Sequence, residues 1–213
     1  PGVFEKALGD LGCTLTRRLV PAEGLPERPP EFLLVMGGPM SVNDPDPWIA
    51  DELRFIRRSV EAGVPFLGIC LGSQLLAKAM GGRVYKGPGT EIGLTRIGLT
   101  DAGRADPLFA NAPAPLDVFE WHGEGIEAPP GATVLASSKL FPVQAFRCGP
   151  RALGLLFHAE LEASGIRALC EKCPEDAAKA GLTPAGILNA AKPRLAGLQR
   201  WAEMVVRGLS SAS

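Results

Sequence analysis

The sequence predicts an α/β fold of three layers, in which helices cover both faces of a doubly wound and mostly parallel sheet. Apolar runs typical of buried strands alternate with amphipathic helical segments over the N-terminal third of the chain. Shorter β-like segments, separated by glycine and proline, follow in the middle of the chain and indicate a small antiparallel extension.

The N-terminal elements follow one another in the order expected of such a sheet. Residue spacing predicts helices over 3–11, 48–62 and 74–80, and strands over 13–20, 32–36 and 65–70. Folds of this kind normally begin with a central strand, whereas this sequence opens directly on a helix. We therefore expect the first strand to be absent from this chain.

The middle and the tail of the chain have a different pattern. Short strands are predicted over 83–85, 94–99, 116–121 and 133–136, and a hairpin over 144–147 and 152–157. The tail from Leu161 is expected to be mainly helical, with an amphipathic segment over 195–206. Neither a repeat nor a linker interrupts the chain, so residues 1–213 are predicted to form a single domain.

The composition of the chain indicates which binding partners and which cellular compartment to expect. The net charge is −1 without a basic run, which argues against nucleic acid or an anionic membrane as a partner. No apolar stretch approaches the roughly 20 residues of a membrane span. The 5 cysteines, an odd number, favour a reducing cytoplasm over a disulfide scaffold. Cys170 and Cys173 lack the second half of a zinc site and are interpreted as helix positions, so neither a metal nor a cofactor is expected.

The most informative segment surrounds Cys70, where an apolar run ends at a cysteine. Gly68 and Gly72 lie two residues to either side of Cys70, and a helix-forming stretch follows. A strand, a tight turn bearing the nucleophile and a helix together form a nucleophile elbow, in which the glycines leave room for the close approach of the two elements. A small buried core cysteine is the alternative interpretation. We predict that Cys70 is the nucleophile.

A base and an acid for this nucleophile are predicted at His158 and Glu160. Residues 158 and 160 follow an apolar strand and, in an extended segment, point to the same side. Glu160 can then accept a hydrogen bond from one ring nitrogen while the other takes the thiol proton. The order Cys, His, Glu excludes an α/β-hydrolase, in which the acid precedes the histidine.

An oxyanion site requires two preorganised N–H groups. The amide of Leu71, directly after the nucleophile, is predicted to supply one. The other is predicted to come from Gly37 or Gly38, which follow the neighbouring strand and therefore lie at the same sheet edge as Cys70.

Three motifs together resemble the class I, triad-type glutamine amidotransferase family, in the stand-alone branch that is similar to GMP synthase. They cover residues 36–41, 68–74 and 157–160. The resemblance implies the flavodoxin-like fold of that family, attack of the cysteine on the side-chain amide of glutamine, release of ammonia and hydrolysis of a γ-glutamyl thioester. By motif position, it also implies a substrate-binding role for Gln74, Trp121, His122 and Glu124.

This sequence departs from the family pattern at three positions. Ala159 replaces the usual proline, Leu156 replaces a glutamine, and Glu124 replaces the frequent aspartate and so lengthens the acidic side chain. The first two residues take no part in the chemistry, whereas Glu124 bears on substrate selectivity.

Three functions therefore remain open from the sequence. The first is a glutaminase that delivers ammonia to a separate synthase subunit. The second is a hydrolase of another γ-glutamyl small molecule that needs no partner. The third is a regulatory relative without activity.

Overall fold

The structure, a computed structural model, describes residues 1–211. Its elements, in chain order, are α1 (Val3–Asp10), α2 (Val20–Glu23), β1 (Leu33–Val35), α3 (Pro47–Glu61), β2 (Phe66–Ile69), α4 (Leu71–Ala79), β3 (Arg83–Arg96), β4 (Gly98–Leu99), α5 (Asp101–Ala105), β5 (Asp117–Glu127), β6 (Thr133–Ser137), β7 (Ala145–Cys148), β8 (Ala152–Leu155), α6 (Ala163–Lys172), α7 (Pro174–Lys179) and α8 (Pro184–Ser211).

The main sheet has the strand order β1-β2-β8-β7-β6-β4. Strands β1, β2 and β8 are parallel neighbours, whereas β8, β7, β6 and β4 pair in antiparallel fashion. The sheet is therefore mixed, with a larger antiparallel part than the sequence suggested. The tight turn between β7 and β8 is too short for the crossover that a parallel pair requires.

Helices cover both faces of this sheet, which confirms the α/β fold. Because successive strand residues point to opposite faces, Leu67 packs against α1 and α8 on one side. On the other side, Phe66 packs against α3 and α4. The apolar run of β2 is thus buried from both directions, as the sequence predicts for a parallel strand.

A second sheet consists of β3 and β5 alone, paired in antiparallel register over the length of both strands. The segments expected over 83–85 and 94–99 belong largely to one long strand, with an irregularity between Lys86 and Glu91. This two-stranded ribbon packs against α6 and α8 through Phe119, Ile166 and Ile187. It carries one wall of the site described below.

The strand predicted over 13–20 is wrong. Residues 13–19 have no regular structure, and α2 begins at Val20. A strand is stable only with a neighbour to which its backbone can hydrogen-bond. Within residues 1–211, β1 lies at the edge of the sheet and pairs with β2 alone, so residues 13–19 have no strand beside them. Consistent with the sequence, α1 is the first element.

Two further predictions, of a hairpin and of a helical tail, agree with the structure. The hairpin of β7 and β8 and the helical tail are confirmed. Cys170 lies in α6 and Cys173 directly follows it, and both are free thiols. Among the helices of residues 1–211, none combines the length and the apolar character that crossing a membrane requires.

A buried carboxyl on α3 leads to a stability prediction. Glu52 is buried, and burial raises its pKa from 4.5 to about 7. Between pH 4.5 and pH 7 the carboxyl of Glu52 binds a proton more tightly in the folded state than in the unfolded state. The free energy of unfolding therefore falls as the pH rises through this range. We expect Glu52→Gln to raise the melting temperature at pH 8 by several degrees, since about 1 kcal/mol shifts it by roughly 2–4 °C.

The control for this measurement is Glu61→Gln, which changes an exposed glutamate of the same helix. Thermal unfolding followed by circular dichroism at pH 5 and pH 8 compares the two variants with the wild type. A gain in melting temperature for Glu52→Gln that is the same at both pH values would contradict the raised pKa of Glu52.

Candidate active site

Cys70 lies at the turn between β2 and α4. Its φ is 51°, and it is the one non-glycine residue with positive φ in the described chain. A side chain in this conformation is strained, and such strain accumulates at functional sites. Cys70 is 8% exposed, at the edge of the apolar core. The turn therefore has the strand–turn–helix geometry of the nucleophile elbow that the sequence predicted.

The two glycines of the elbow are required by contacts between backbones. A Cβ atom at Gly68 would lie 2.5 Å from the carbonyl oxygen of Gly72. A Cβ atom at Gly72 would lie 2.0 Å from the carbonyl oxygen of Val35, in the neighbouring strand β1. Strand, turn and helix thus approach more closely than any side chain would permit.

His158 follows β8 and is positioned by the β3–β5 ribbon. Its backbone N–H donates to the carbonyl of Phe119 over 2.7 Å, which fixes the strand end against β5. Its Nδ1 lies 2.8 Å from Oε1 of Glu160, as the alternation of an extended segment predicted. The side chains of His158 and Glu160 are 11% and 3% exposed.

The backbone of Glu160 is held by the N-terminus of the chain. The N–H of Val3 donates to the carbonyl oxygen of Glu160 over 3.1 Å. The acid therefore has little freedom to move away from His158.

The three predicted motifs meet at Gly37. A Cβ atom at this glycine would lie 3.2 Å from Cε1 of His158 and 3.9 Å from Sγ of Cys70. Burial alone would lower the pKa of His158, but the charge of Glu160 and the interaction with Cys70 raise it well above its usual value. The arrangement favours the imidazolium form of His158.

The predicted oxyanion donors come from two places, the first turn of α4 and the glycine pair that follows β1. The hydrogen bonds of this helix begin with the amides of Ser73 and Gln74, which both donate to the carbonyl of Cys70. The amide of Leu71, in the first turn, therefore has no acceptor within the helix. A Cβ atom at Gly38 would lie 2.9 Å from Cδ2 of Leu71, so the glycine pair passes directly over this helix end.

Two of the predicted substrate-binding residues connect the elements around the nucleophile. The Nε2 of Gln74 donates to the carbonyl of Glu124 over 3.4 Å. The carboxylate of Glu124 accepts a hydrogen bond of 2.8 Å from the hydroxyl of Ser41, in the loop that follows the glycine pair. Trp121 faces away from this contact, since its Nε1 donates to Asp176 of α7 over 3.2 Å.

His122 is buried among carboxylates. Its Nδ1 lies 3.1 Å from the carbonyl oxygen of Glu124. Its Nε2 lies 3.0 Å from Glu120 and 3.6 Å from Glu91. Burial would lower the pKa of His122, but the two carboxylates raise it to about 10. Both ring nitrogens therefore face acceptors within the protein.

Sequence reasoning missed Glu91 and Glu120. Glu120 lies two residues before His122 on β5, a spacing that signals a shared face, whereas Glu91 is brought there by the register of β3. Within residues 1–211 these three side chains are the set whose donor atoms converge enough to surround a cation, all within 4.8 Å.

Comparison with known proteins identifies the family. A family model described as glutamine amidotransferase class-I matches residues 4–167. The chain belongs to this family. It is 35% identical over 187 residues to YfeJ, a glutamine amidotransferase-like protein of Salmonella typhimurium, with 84% of this chain and 78% of YfeJ covered.

The amidotransferase is also similar to part of a larger enzyme. It is 38% identical over 144 residues to a glutamine-hydrolyzing GMP synthase of Parafrankia, covering 67% of this chain and 26% of that protein. This chain therefore matches about a quarter of the length of the GMP synthase.

Solved structures confirm the fold of the amidotransferase. A glutamine amidotransferase of Thermotoga maritima matches with a TM-score of 0.89 at 29% identity, covering 99% of this chain and 93% of that one. A glutamine amidotransferase of Methylobacillus flagellatus matches with a TM-score of 0.87 at 34% identity, covering 98% and 88%.

The contact between Gly72 and Val35 leads to a second prediction. We expect Gly72→Ala to lower the free energy of unfolding by about 3 kcal/mol or more, because the new methyl group would overlap backbone that cannot rotate away. Gly9→Ala is the control. Gly9 lies in α1 with no atom within 4 Å of the added Cβ, so that variant gains about 0.5–1 kcal/mol of helix stability. Urea unfolding measures both, and a stable Gly72→Ala would contradict the close packing of the elbow.

Proposed function

We propose that this amidotransferase hydrolyses glutamine with Cys70 as the nucleophile, His158 as the general base and acid, and Glu160 as the residue that orients His158. The observation that carries the proposal is the meeting of the elbow, the His158–Glu160 pair and the glycine loop at one point over Gly37. These are the groups that acyl transfer through a thioester requires.

In the first half of the reaction, Sγ of Cys70 attacks the side-chain amide carbon of glutamine. His158 takes the thiol proton, and the amide oxygen becomes an oxyanion. We assign the stabilisation of this oxyanion to the amide of Leu71 and an amide of the Gly37–Gly38 pair. When the tetrahedral intermediate collapses, the carbon–nitrogen bond breaks, and His158 returns its proton to the nitrogen, which leaves as ammonia.

In the second half, water attacks the γ-glutamyl thioester while His158 accepts a proton from it. Collapse of the second intermediate breaks the carbon–sulfur bond and releases glutamate, and the proton returns to Cys70. Glu160 keeps its hydrogen bond to Nδ1 throughout, so the ring presents its other nitrogen to the reacting atoms.

Gln74 and Glu124 are assigned to substrate binding. They belong to one hydrogen-bonded set with Ser41, which links the glycine loop, α4 and β5 around the nucleophile. A carboxylate in this place suits the α-ammonium group of glutamine. Trp121, tied to α7, is assigned to shaping the wall of the site rather than to a polar contact.

The similarity to GMP synthase supports a proposal for the fate of the ammonia. The printed name of the Parafrankia enzyme joins glutamine hydrolysis to GMP synthesis, and this chain corresponds to about a quarter of that protein. We propose that the ammonia passes to a separate acceptor, a synthase subunit or domain outside the described fold.

Substitution of the nucleophile is the direct test. We expect Cys70→Ala and His158→Ala to lower the glutaminase kcat by about 10³-fold or more, and Glu160→Ala to cause a smaller loss, because Glu160 exchanges no proton with the substrate. Ammonia release from glutamine, measured with glutamate dehydrogenase, reports the rate. The control is Cys13→Ala, which removes an exposed thiol.

A thioester trap identifies the acyl group and the nucleophile together. The wild type is quenched in acid during turnover of glutamine or of γ-glutamyl amines and peptides, and the peptide that contains Cys70 is weighed. We expect the mass of a γ-glutamyl group from glutamine. Accumulation only from γ-glutamyl peptides would favour a partner-independent hydrolase, and substantial activity of Cys70→Ala would exclude the mechanism.

A further inference from the structure

Three ionisable side chains outside the triad meet within the β3–β5 ribbon. Glu91 lies directly opposite His122 in the register of the two strands, and Glu120 lies on the same face of β5 as His122. All three residues are buried, with exposed fractions of 6% for Glu91, 8% for His122 and 0% for Glu120. We refer to Glu91, Glu120 and His122 as the ribbon cluster. None of them takes part in the proposed mechanism.

The ribbon cluster contains polar atoms that have no partner in the protein. In the part of the chain that the structure describes, both carboxylate oxygens of Glu120 and Nε2 of His122 are buried and form no hydrogen bond. Nε2 lies 3.0 Å from Oε2 of Glu120 without being hydrogen-bonded to it. A carboxylate that is buried in this way is costly unless a positive charge accompanies it. These atoms therefore point to a bound cation.

The hydrogen bonds around the ribbon cluster orient its side chains as metal ligands. Nδ1 of His122 lies 3.1 Å from the carbonyl oxygen of Glu124, which can only accept, so Nδ1 carries a hydrogen. Histidines that bind metals are usually held in this way through their other ring nitrogen. Ser138 and Gln144 donate to Oε2 of Glu91 over 3.0 Å and 2.7 Å. They fix a carboxylate that has about four lone-pair sites, so it keeps the capacity to bind an ion.

The spacing of the ligand atoms fits a small metal ion. Nε2 of His122 lies 3.0 Å from Oε2 of Glu120 and 3.6 Å from Oε2 of Glu91. The ligand atoms of a tetrahedral zinc ion, with bonds of about 2.0–2.2 Å, are roughly 3.3–3.6 Å apart. One ligand atom from each of the three residues lies within 4.8 Å of the others. The side chains are therefore already close to the arrangement that zinc requires.

Charge and donor type also favour zinc. A dication would neutralise both carboxylates, whereas a single proton on His122 would leave one buried negative charge uncompensated. An imidazole nitrogen suits zinc, while magnesium and calcium prefer a shell made only of oxygen atoms.

We propose that Glu91, Glu120 and His122 bind a zinc ion that joins the two strands of the ribbon. Metal ligands bind in their deprotonated forms, so a proton on Nε2 leaves to solvent when the ion binds. The role of the ion is structural. The carbonyl of Phe119, the residue before Glu120, accepts the backbone N–H of His158, so the strand that carries two of the ligands also holds the end of β8. His122 is then a metal ligand rather than a ligand of the substrate.

The metal content of the full chain is the direct test. The protein is unfolded in denaturant with EDTA, refolded with zinc sulfate, dialysed against EDTA and analysed by mass spectrometry of the elements. We expect the wild type to retain about one zinc ion per chain, and His122→Gln and the double variant Glu91→Gln with Glu120→Gln to retain less than about a tenth of that. Glu127→Gln, at an exposed position of β5, is the control and retains the wild-type amount.

Thiols are zinc ligands too, and two variants separate them from the ribbon cluster. Cys70→Ala removes the proposed nucleophile, and Cys170→Ser with Cys173→Ser removes the other closely spaced thiols. We expect both variants to keep about one zinc ion per chain. X-ray absorption by the zinc of the wild type reports the ligands directly. We expect nitrogen and oxygen at about 2.0–2.2 Å and no sulfur at about 2.3 Å.

Thermal unfolding reports the structural role. An ion that binds only the folded state stabilises it, so we expect the zinc-loaded wild type to melt at least about 5 °C above wild type refolded with EDTA. The same comparison with His122→Gln should show no difference. Equal melting temperatures of the loaded and metal-free wild type would contradict the structural role.

Two results on the wild type would overturn the proposal, and they decide it even where a cluster variant does not fold. The first is refolded protein that holds no zinc, which would leave a shared proton as the only cation of the cluster. The second is a sulfur ligand in the absorption spectrum. Loss of zinc in either cysteine variant would overturn it as well. Glutaminase activity of Cys70→Ala tests the proposed function separately, because zinc content does not depend on it.

Discussion

The backbone contact between Gly72 and the carbonyl of Val35 is the constraint on which the site depends. It lets α4 begin directly beside β1, immediately after the turn in which Cys70 has a positive φ. The same closeness brings the glycine loop after β1 over the first turn of the helix. The proposed nucleophile and the proposed oxyanion donors are therefore positioned by one packing arrangement.

The proposed base, His158, is positioned near this turn by the second sheet. His158 is beyond the end of β8, and its backbone is fixed by Phe119 of β5. The ribbon thereby serves two purposes, since the next residue along β5 belongs to the buried cluster around His122. Strand β5 therefore both fixes the backbone of His158 and carries the buried pair of Glu120 and His122.

Much of the candidate site was predictable because its signals are local. The elbow is visible as a strand, a cysteine between glycines and a helix, and the His158–Glu160 pair follows from the twofold period of an extended chain. The parallel strands were visible as apolar runs. Residues 13–19 show where this reasoning fails, because an alternating pattern predicts a strand without testing whether a partner is available.

By itself, the sequence determined the α/β architecture, the strand–turn–helix at Cys70 and the order of the three motifs, since each depends on residues close together in the chain. Only the tertiary structure decided the environment of His122. Glu91 is separated from His122 by the whole of α5 and comes to lie opposite it through the register of β3 and β5. Neighbours that are brought together by strand register and burial leave no local pattern from which they can be predicted.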